Sequence, residues 1–208
     1  IIWVSQIDDP SAFGVVKLND ENEITDFVEK PNTFVSDLAI IGIYYFNDGA
    51  YLKSELQYLL DNNIKDKGEF QLTNALENMK NKGTKFSPGK VVEWLDCGNK
   101  DATVYTNERV LAHNGNEVST SATIENSEII EPCFIGENAV IQNSKIGPYV
   151  AIGNNTLVLD SVISNTIIQN NSSINNAKLH NSMIGNKCKF EGKNIQQEVS
   201  IGDFSEIG

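Results

Sequence analysis

An aliphatic residue recurs at every fifth or sixth position through the second half of the chain. The aliphatic positions are 124, 130, 135, 141, 146, 152, 158, 163, 168, 174, 179 and 184. The dipeptides Asn126-Ser127, Asn143-Ser144 and Asp160-Ser161 are each 17 residues apart, which corresponds to three such steps. This spacing predicts a triangular parallel β-helix, in which each aliphatic side chain points inward and is buried only by the coils stacked on it. A β-sandwich of many short strands is the alternative, and the constant step disfavours it.

Composition and charge exclude several classes of protein. No run approaches the roughly 20 apolar residues of a membrane-spanning helix. The formal net charge of −12 argues against nucleic-acid binding, which needs a basic surface. Three cysteines without a CxxC spacing argue against a disulfide framework or a zinc site. We therefore expect a cytoplasmic protein with neither a membrane nor a nucleic acid as partner.

The first half of the chain has the alternating strand and helix patterns of a mixed α/β fold. The run 38–46 is apolar on both faces, so we expect it to be a strand covered on both sides. Helical spacing ends at Gly83, a candidate C-terminal cap. The predicted strands are 1–4, 13–18, 24–28, 38–46 and 91–95, and the predicted helices are 51–61, 71–82 and 100–111.

The change of pattern near residue 113 predicts a domain boundary. We assign residues 1–112 to an α/β domain, 113–117 to a linker and 118–208 to the β-helix, with an irregular turn over 191–199. Because the first residue is Ile1, already inside a strand pattern, we interpret the chain as part of a longer polypeptide.

Several polar residues are candidates for ligand binding. Glu29 and Lys30 end a predicted strand side by side, and such a pair can bind a sugar hydroxyl and a phosphate. A solvated pair before Pro31 is the structural alternative. Asp96 follows the predicted strand 91–95, where open α/β sheets bind ligands, and it could hold Mg²⁺ or cap the next helix.

Other residues carry weaker signals. Gly14, within a β-branched run, indicates either a bulge or a close approach of a ligand to the backbone. Glu69 is placed at a predicted helix start, and a ligand-binding role is the alternative. His180 is the candidate general base if the β-helix belongs to an acyltransferase.

Taken together, five motifs resemble those of the sugar-1-phosphate nucleotidyltransferases in order and spacing. They are Phe13-Gly-Val-Val16, Glu29-Lys-Pro31, Ala39-Ile-Ile-Gly-Ile-Tyr-Tyr-Phe46, Gly68-Glu-Phe-Gln-Leu-Thr73 and Trp94-Leu-Asp-Cys-Gly98. The match is closest to glucose-1-phosphate thymidylyltransferase-like members with a C-terminal left-handed β-helix.

The resemblance implies a role for each matching residue. Gly14 and Ile40 would contact the sugar nucleotide, Glu29 the sugar hydroxyls, Lys30 the sugar phosphate, and Asp96 would hold Mg²⁺. The implied reaction joins a nucleoside triphosphate to a sugar 1-phosphate and releases pyrophosphate.

The family's glycine-rich, basic loop for the triphosphate does not occur in this sequence, nor does a second metal-binding aspartate. We therefore expect the chain to be the second half of a catalytic domain plus the β-helix, with little activity alone. A hexapeptide-repeat acyltransferase and a non-catalytic assembly or regulatory subunit are the alternatives. The flat faces of a β-helix also lead us to expect a homo-oligomer.

Overall fold

The computed structural model describes residues 1–208 and contains two compact units, Ile1–Trp94 and Leu95–Gly208. The second unit begins before the predicted boundary, because helix α3 (Lys100–Asn114) packs against β-helix strands of its own unit. The assignment of residues 1–112 to an α/β domain, 113–117 to a linker and 118–208 to the β-helix stays a prediction.

The first unit is a five-stranded mixed sheet with two helices. The strand order is β3-β2-β4-β1-β5, and all pairings are antiparallel except that of β1 with β5. Strands β2 and β3 form an antiparallel hairpin, and the helices predicted at 51–61 and 71–82 are present. The elements are β1 (Ile2–Gln6), β2 (Gly14–Leu18), β3 (Ile24–Glu29), β4 (Leu38–Tyr44), α1 (Gly49–Asp61), α2 (Leu72–Asn81) and β5 (Pro88–Lys90).

Local sequence explains where the helices begin and end. Asp48 caps α1 by accepting a hydrogen bond from the Tyr51 N–H at 2.9 Å. Helix α2 is followed by Gly83, whose φ of +98° is a conformation that glycine adopts without steric cost. The buried face of α2, which includes Leu76 and Met79, packs with β-strand residues into one core.

The predicted strand at 91–95 is wrong. The strand is β5, three residues earlier in the chain, and Val92 is fully exposed. Gly89 of β5 lies against the Trp3 ring, where a Cβ atom would be 2.7 Å from the nearest ring atom. Because only glycine permits this approach, the contact sets the register in which β5 pairs with β1.

Strand β4 is covered on both faces only over its first half. Ala39 and Ile40 are buried, whereas Ile43 is 51% exposed. The continuous apolar run therefore overstates how much of this strand lies inside the sheet.

The second unit confirms the predicted parallel β-helix. Its strands form a six-stranded and a nine-stranded parallel sheet after helix α3. They are β6 (Glu117–Val118), β7 (Thr123–Glu125), β8 (Glu128–Ile129), β9 (Cys133–Ile135), β10 (Val140–Gln142), β11 (Lys145–Ile146), β12 (Val150–Ile152), β13 (Leu157–Leu159), β14 (Val162–Ile168), β15 (Ser173–Asn175), β16 (Lys178–Ile184), β17 (Lys189–Glu191), β18 (Gln196–Gln197), β19 (Ser200–Ile201) and β20 (Glu206–Ile207).

Inward side chains of successive coils stack in columns. One column runs Ile135, Ile152, Ile168, Ile184 and Ile201, and all but the last are at most 1% exposed. Burying one such side chain is worth about 1.5–3 kcal/mol, so stacking supplies the main stabilisation of a coil in which every strand except β14 and β16 has two or three residues.

The phase of the repeat differs from the prediction at one position. Ile129, not Ile130, pairs with Ile146 and continues the column through Ile163 and Leu179. The same column passes to Gln197, which lies within the segment 191–199 that was predicted to be an irregular turn. Two adjacent isoleucines at 129 and 130 make this phase ambiguous from sequence.

Polar residues turn the corners of the coil. Asn126, Asn143, Asp160 and Asn176 all have positive φ, a conformation that Asn and Asp tolerate better than most residues. The side-chain amide of Asn143 donates to Asp160 Oδ1 at 3.1 Å, one coil further on. Such bonds keep successive corners aligned.

None of the three helices combines the length and hydropathy that a bilayer crossing requires.

Candidate functional site

A cleft of about 300 Å³ lies in the first unit and contains three of the predicted site residues, Gly14, Glu29 and Ile40. Strands β2, β3 and β4 and the start of α2 form its walls, so residues distant in sequence converge. The lining residues are Ala12, Phe13, Gly14, Glu29, Ile40, Gly42, Tyr44, Gln71, Leu72 and Thr73.

The Glu29 carboxylate is oriented from the side of helix α2. Thr73 Oγ1 donates a hydrogen bond to Glu29 Oε2 at 3.1 Å. A carboxylate has about four lone-pair positions, so Glu29 retains acceptor capacity for a ligand hydroxyl. The Glu29 side chain is therefore oriented by Thr73 while some of its hydrogen-bond acceptor positions stay available for a ligand.

Gly14 pairs with Glu29 across the β2–β3 hairpin, in regular register with the next pair, Val15 and Val28. This rules out a bulge at Gly14. A Cβ atom there would lie 2.9 Å from Glu29 Oε2, 3.1 Å from Thr73 Cγ2 and 3.4 Å from Ile40 Cδ1. Glycine at position 14 is therefore what allows the Glu29–Thr73 hydrogen bond to form.

Tyr44 was not predicted as a site residue, although it lines the cleft. Burial, together with the negative charge of Glu29, raises the pKa of the Tyr44 phenol above its usual 10.0. The phenol therefore stays protonated and can donate a hydrogen bond. Positions 40, 42 and 44 would share one face of a regular strand, and this signal could have identified Tyr44 from sequence. All three line the cleft, although the β1–β4 register shifts between Ile40 and Tyr44 and Gly42 has a φ of +80°.

Thr73 and Gln71 were likewise not predicted as site residues, although both belong to the sequence motif at 68–73. Both line the cleft at the start of α2. Their proximity to Glu29 depends on how α2 packs on β3, which sequence alone does not reveal.

Lys30 is exposed and does not line the cleft, but it adjoins Glu29 in the chain. Its φ of +39° is uncommon for a residue with a side chain. Its N–H donates to the Phe13 carbonyl at 3.0 Å, and its own carbonyl accepts from Lys67 Nζ at 2.9 Å. The backbone of Lys30 is thus held from both sides.

Asp96 belongs to the second unit, where its Oδ2 accepts the Gly98 N–H at 3.2 Å and its carbonyl accepts from Thr106 Oγ1 at 2.7 Å. It does not cap α3, because the capping oxygen is that of Asn99, 2.9 Å from the Ala102 N–H. Nowhere in residues 1–208 do three or more His, Cys, Asp or Glu side chains gather into a metal site. A single carboxylate fits Mg²⁺ only where phosphate oxygens and water complete the shell.

Two further predicted residues are placed outside the cleft. Glu69 Oε2 accepts a hydrogen bond from Gln71 Nε2 at 3.2 Å. His180 Nδ1 lies 3.0 Å from Ser164 Oγ on strands β16 and β14 of the coil.

Comparison with known proteins identifies the same family that the five sequence motifs resemble. The family model described as nucleotidyl transferase matches residues 1–113. Glucose-1-phosphate thymidylyltransferase of Streptomyces antibioticus is 28% identical over 99% of this chain and 62% of its own length. The low-salt glycan biosynthesis nucleotidyltransferase Agl11 of Haloferax volcanii is 27% identical over 100% of the chain and 60% of its length.

A third relative, the bifunctional protein GlmU of Methanocaldococcus jannaschii, is 29% identical over 97% of the chain and 53% of its own length. The chain thus spans between about half and two thirds of the length of these curated relatives. The matched family model covers the whole first unit, including the cleft. The chain belongs to the nucleotidyl transferase family.

Proposed function

We propose that this chain is the sugar-phosphate-binding part of a sugar-1-phosphate nucleotidyltransferase. The observation that carries the proposal is the cleft in which Gly14, Glu29 and Ile40 meet, with Glu29 held by Thr73. The names of the relatives support the substrate class. The Streptomyces antibioticus relative is a glucose-1-phosphate thymidylyltransferase, and the Haloferax volcanii relative is a nucleotidyltransferase of glycan biosynthesis.

Each residue has a distinct part in the proposed mechanism. Glu29 accepts hydrogen bonds from sugar hydroxyls, while Gly14 and Ile40 form the wall against which the sugar lies. The Lys30 ammonium binds the phosphate and keeps its attacking oxygen in line. Asp96 would supply one carboxylate ligand to Mg²⁺, which when bound neutralises charge on the triphosphate.

The reaction is a displacement at phosphorus. A phosphate oxygen of the sugar 1-phosphate forms a bond to the α-phosphorus of the nucleoside triphosphate. The bond from that phosphorus to the oxygen bridging the β-phosphate breaks, and pyrophosphate leaves with the electron pair. Neither step requires this chain to form a covalent intermediate.

We also propose that the 208-residue chain turns over slowly when alone. Phosphoryl transfer depends on positioning and charge neutralisation, and the Lys30 ammonium is the one basic side chain proposed to meet the substrate in a chain of net charge −12. A pyrophosphate-release assay with Mg²⁺ and several triphosphates should show little turnover. Robust turnover would contradict this part of the proposal.

A homo-oligomer in a reducing cytoplasm completes the proposal. Buried, unpaired Cys133 and Cys188 fit a reducing compartment. The outer faces of the sheets of the coil are flat surfaces on which a second copy of the chain can pack.

Binding of glucose 1-phosphate tests the proposed function directly. By calorimetry, Glu29→Gln should weaken binding by about ten-fold or more, since a charged hydrogen bond is worth about 1.5–3 kcal/mol. Glu23→Gln is the matched control, because Glu23 pairs with Lys85 away from the cleft. Equal affinities of all three proteins, or no binding by any, would reject the proposal.

A further inference from the structure

We propose that Lys100 and Glu198 are positioning residues through which the β-helix holds the Asp96 loop, residues 95–99. The inference rests on the proposed function for the role of Asp96 as a Mg²⁺ ligand. Its structural basis is the contact of the Lys100 ammonium with the Glu198 carboxylate and, at 3.0 Å, with the Asn181 carbonyl, both on the coil. These contacts join residues 98 and 81 positions apart in the chain.

The Asp96 loop is attached to the first two turns of helix α3. The Asp96 carbonyl accepts a hydrogen bond from Thr106 Oγ1 at 2.7 Å, and the Cys97 carbonyl accepts one from Thr103 Oγ1 at 3.3 Å. Asn99, the last residue of the loop, caps the helix. The loop itself contains neither a strand nor a helix, so its conformation depends on where the start of α3 lies.

Apolar packing does not fix this end of α3. Helix α3 buries only Val104 and Leu111, so residues 100–103 have no buried apolar side chain. A lysine at the first position is also opposed by the positive end of the helix dipole. The Lys100 side chain is nonetheless only 17% exposed, because it lies against the coil. These polar contacts therefore anchor the start of the helix.

Asn181 completes a ring of hydrogen bonds around the Lys100 ammonium. Its side-chain amide donates to Asp101 Oδ1 at 3.0 Å and to Glu198 Oε1 at 2.9 Å, and both carboxylates form ion pairs with Lys100. Hydrogen bonds to Asp101 and Glu198 raise the pKa of the Lys100 ammonium above its usual 10.5, so the group stays charged at neutral pH. Because each member of the ring contacts at least two others, the ring restricts Lys100 to one position.

The conformation of the loop orients the carboxylate proposed to bind the metal. Asp96 Oδ2 accepts the Gly98 N–H at 3.2 Å, and a Cβ atom at Gly98 would lie 2.9 Å from the same oxygen. The loop is thus closely folded around the carboxylate. Mg²⁺ demands near-ideal octahedral geometry, and changing a residue that orients a metal ligand typically costs about 10–100-fold in affinity. Fraying of the first turn of α3 should therefore weaken metal binding.

Amide hydrogen exchange tests the attachment without any ligand. In Lys100→Met, the Gly98 and Ala102 amides should exchange about ten-fold faster than in the unchanged chain, because charge-assisted hydrogen bonds that hold the start of the helix are lost. Lys145→Met is the matched control, since Lys145 forms an ion pair of 3.0 Å with Glu128 elsewhere on the coil. Unchanged exchange in Lys100→Met, or equal acceleration in both variants, overturns the proposal.

Metal binding tests the consequence for Asp96 from the side of the coil. The probe is Mn²⁺ with pyrophosphate, whose oxygens help to complete the metal's shell, and water proton relaxation measures the bound complex. Lys100→Met should weaken binding by about three- to ten-fold, as should Glu198→Lys, which places a second ammonium beside Lys100. Glu206→Lys is the matched control, because it makes the same charge change at an exposed coil residue paired with Lys189. Equal affinities of Glu198→Lys and Glu206→Lys would contradict the inference.

A double-mutant cycle separates positioning from a direct effect of charge. In an Asp96→Asn background, Glu198→Lys should change affinity by less than about two-fold. Additive effects would mean that Glu198 acts on the metal complex without Asp96, and the positioning role would be wrong. Lys100→Arg, which keeps a charged donor, should restore at least half of the affinity lost in Lys100→Met in free-energy terms.

The two proposals fail in different ways. If the unchanged chain does not bind the Mn²⁺–pyrophosphate complex, or if Asp96→Asn binds it equally well, the proposed role of Asp96 is wrong and the inference is overturned with it. If Asp96→Asn weakens binding but Lys100→Met does not, the proposed function stands and only the inference fails.

Discussion

At the scale of single residues, Gly14 is the position where backbone freedom and the site are most directly linked. A Cβ atom at this position would lie 2.9 Å from Glu29 Oε2 and 3.1 Å from Thr73 Cγ2. We therefore expect Gly14→Ala to displace Glu29 and break its hydrogen bond to Thr73, at a cost of about 1–3 kcal/mol in folding stability. Urea denaturation measures this loss.

The same variant should lose glucose 1-phosphate affinity by at least about ten-fold, because the displaced carboxylate can no longer meet the sugar hydroxyls. Gly49→Ala is the control, since a Cβ atom at Gly49 meets nothing within 4 Å and the residue begins helix α1. Normal affinity in Gly14→Ala would show that the close contact is relieved elsewhere.

Part of the candidate site could be predicted from the sequence. Gly14, Glu29 and Ile40 were predicted from motifs and do share a cleft, whereas the assigned roles of Lys30 and Asp96 stay predictions. Tyr44 and Thr73 were missed because their relevance depends on packing between β3, β4 and α2. Motif spacing orders residues along a chain but does not say which side chains face one another.

At the scale of elements, long periodic segments were predictable and short ones were not. Helix α2 buries Ala75, Leu76 and Met79 at helical spacing, and the coil repeats its aliphatic step many times, so each pattern is overdetermined. Helix α1 was also predicted from its spacing, although Leu59 is its one fully buried apolar residue. Strand β5 has three residues, and a glycine contact with Trp3 sets its position rather than an apolar run. The exposed Val92 shows that a short apolar run need not be a strand.

The coil offers a matched pair of substitutions that tests inward stacking. Ile163 is 0% exposed in the column between Ile146 and Leu179, whereas its neighbour Val162 is 46% exposed on the outer surface. Ile163→Ala should destabilise the chain by about 2–5 kcal/mol by leaving a cavity. Val162→Ala should change stability by no more than about 0.5 kcal/mol.

Thermal and urea unfolding of the two variants decide the matter. Similar losses of stability would mean that the two side chains do not differ in burial, contrary to an inward column. A loss larger in Val162→Ala would reverse the assigned faces of strand β14 and thereby the whole phase of the repeat.

At the scale of the whole molecule, an excess of negative charge opposes the compact state. The chain has 28 acidic residues against 16 lysines and arginines. Exposed ion pairs such as Lys85–Glu23 and Lys189–Glu206 are solvated and screened by salt, so they offset little of the repulsion among the unpaired carboxylates. Repulsion between distant exposed charges is screened by salt more strongly than contacts between neighbours.

Raising ionic strength should therefore stabilise the molecule. Between about 0.01 and 0.15 M NaCl the screening length falls from about 30 to about 8 Å. A gain of about 1 kcal/mol would raise the midpoint of thermal unfolding by about 2–4 °C for a chain of this size. Removing two exposed acidic charges in the β2–β3 turn with Asp20→Asn and Glu21→Gln should raise the midpoint at low salt and reduce its response to salt. If salt instead lowers the midpoint, the ion pairs contribute more to stability than the summed repulsion removes, and net charge is not what limits the stability of this fold.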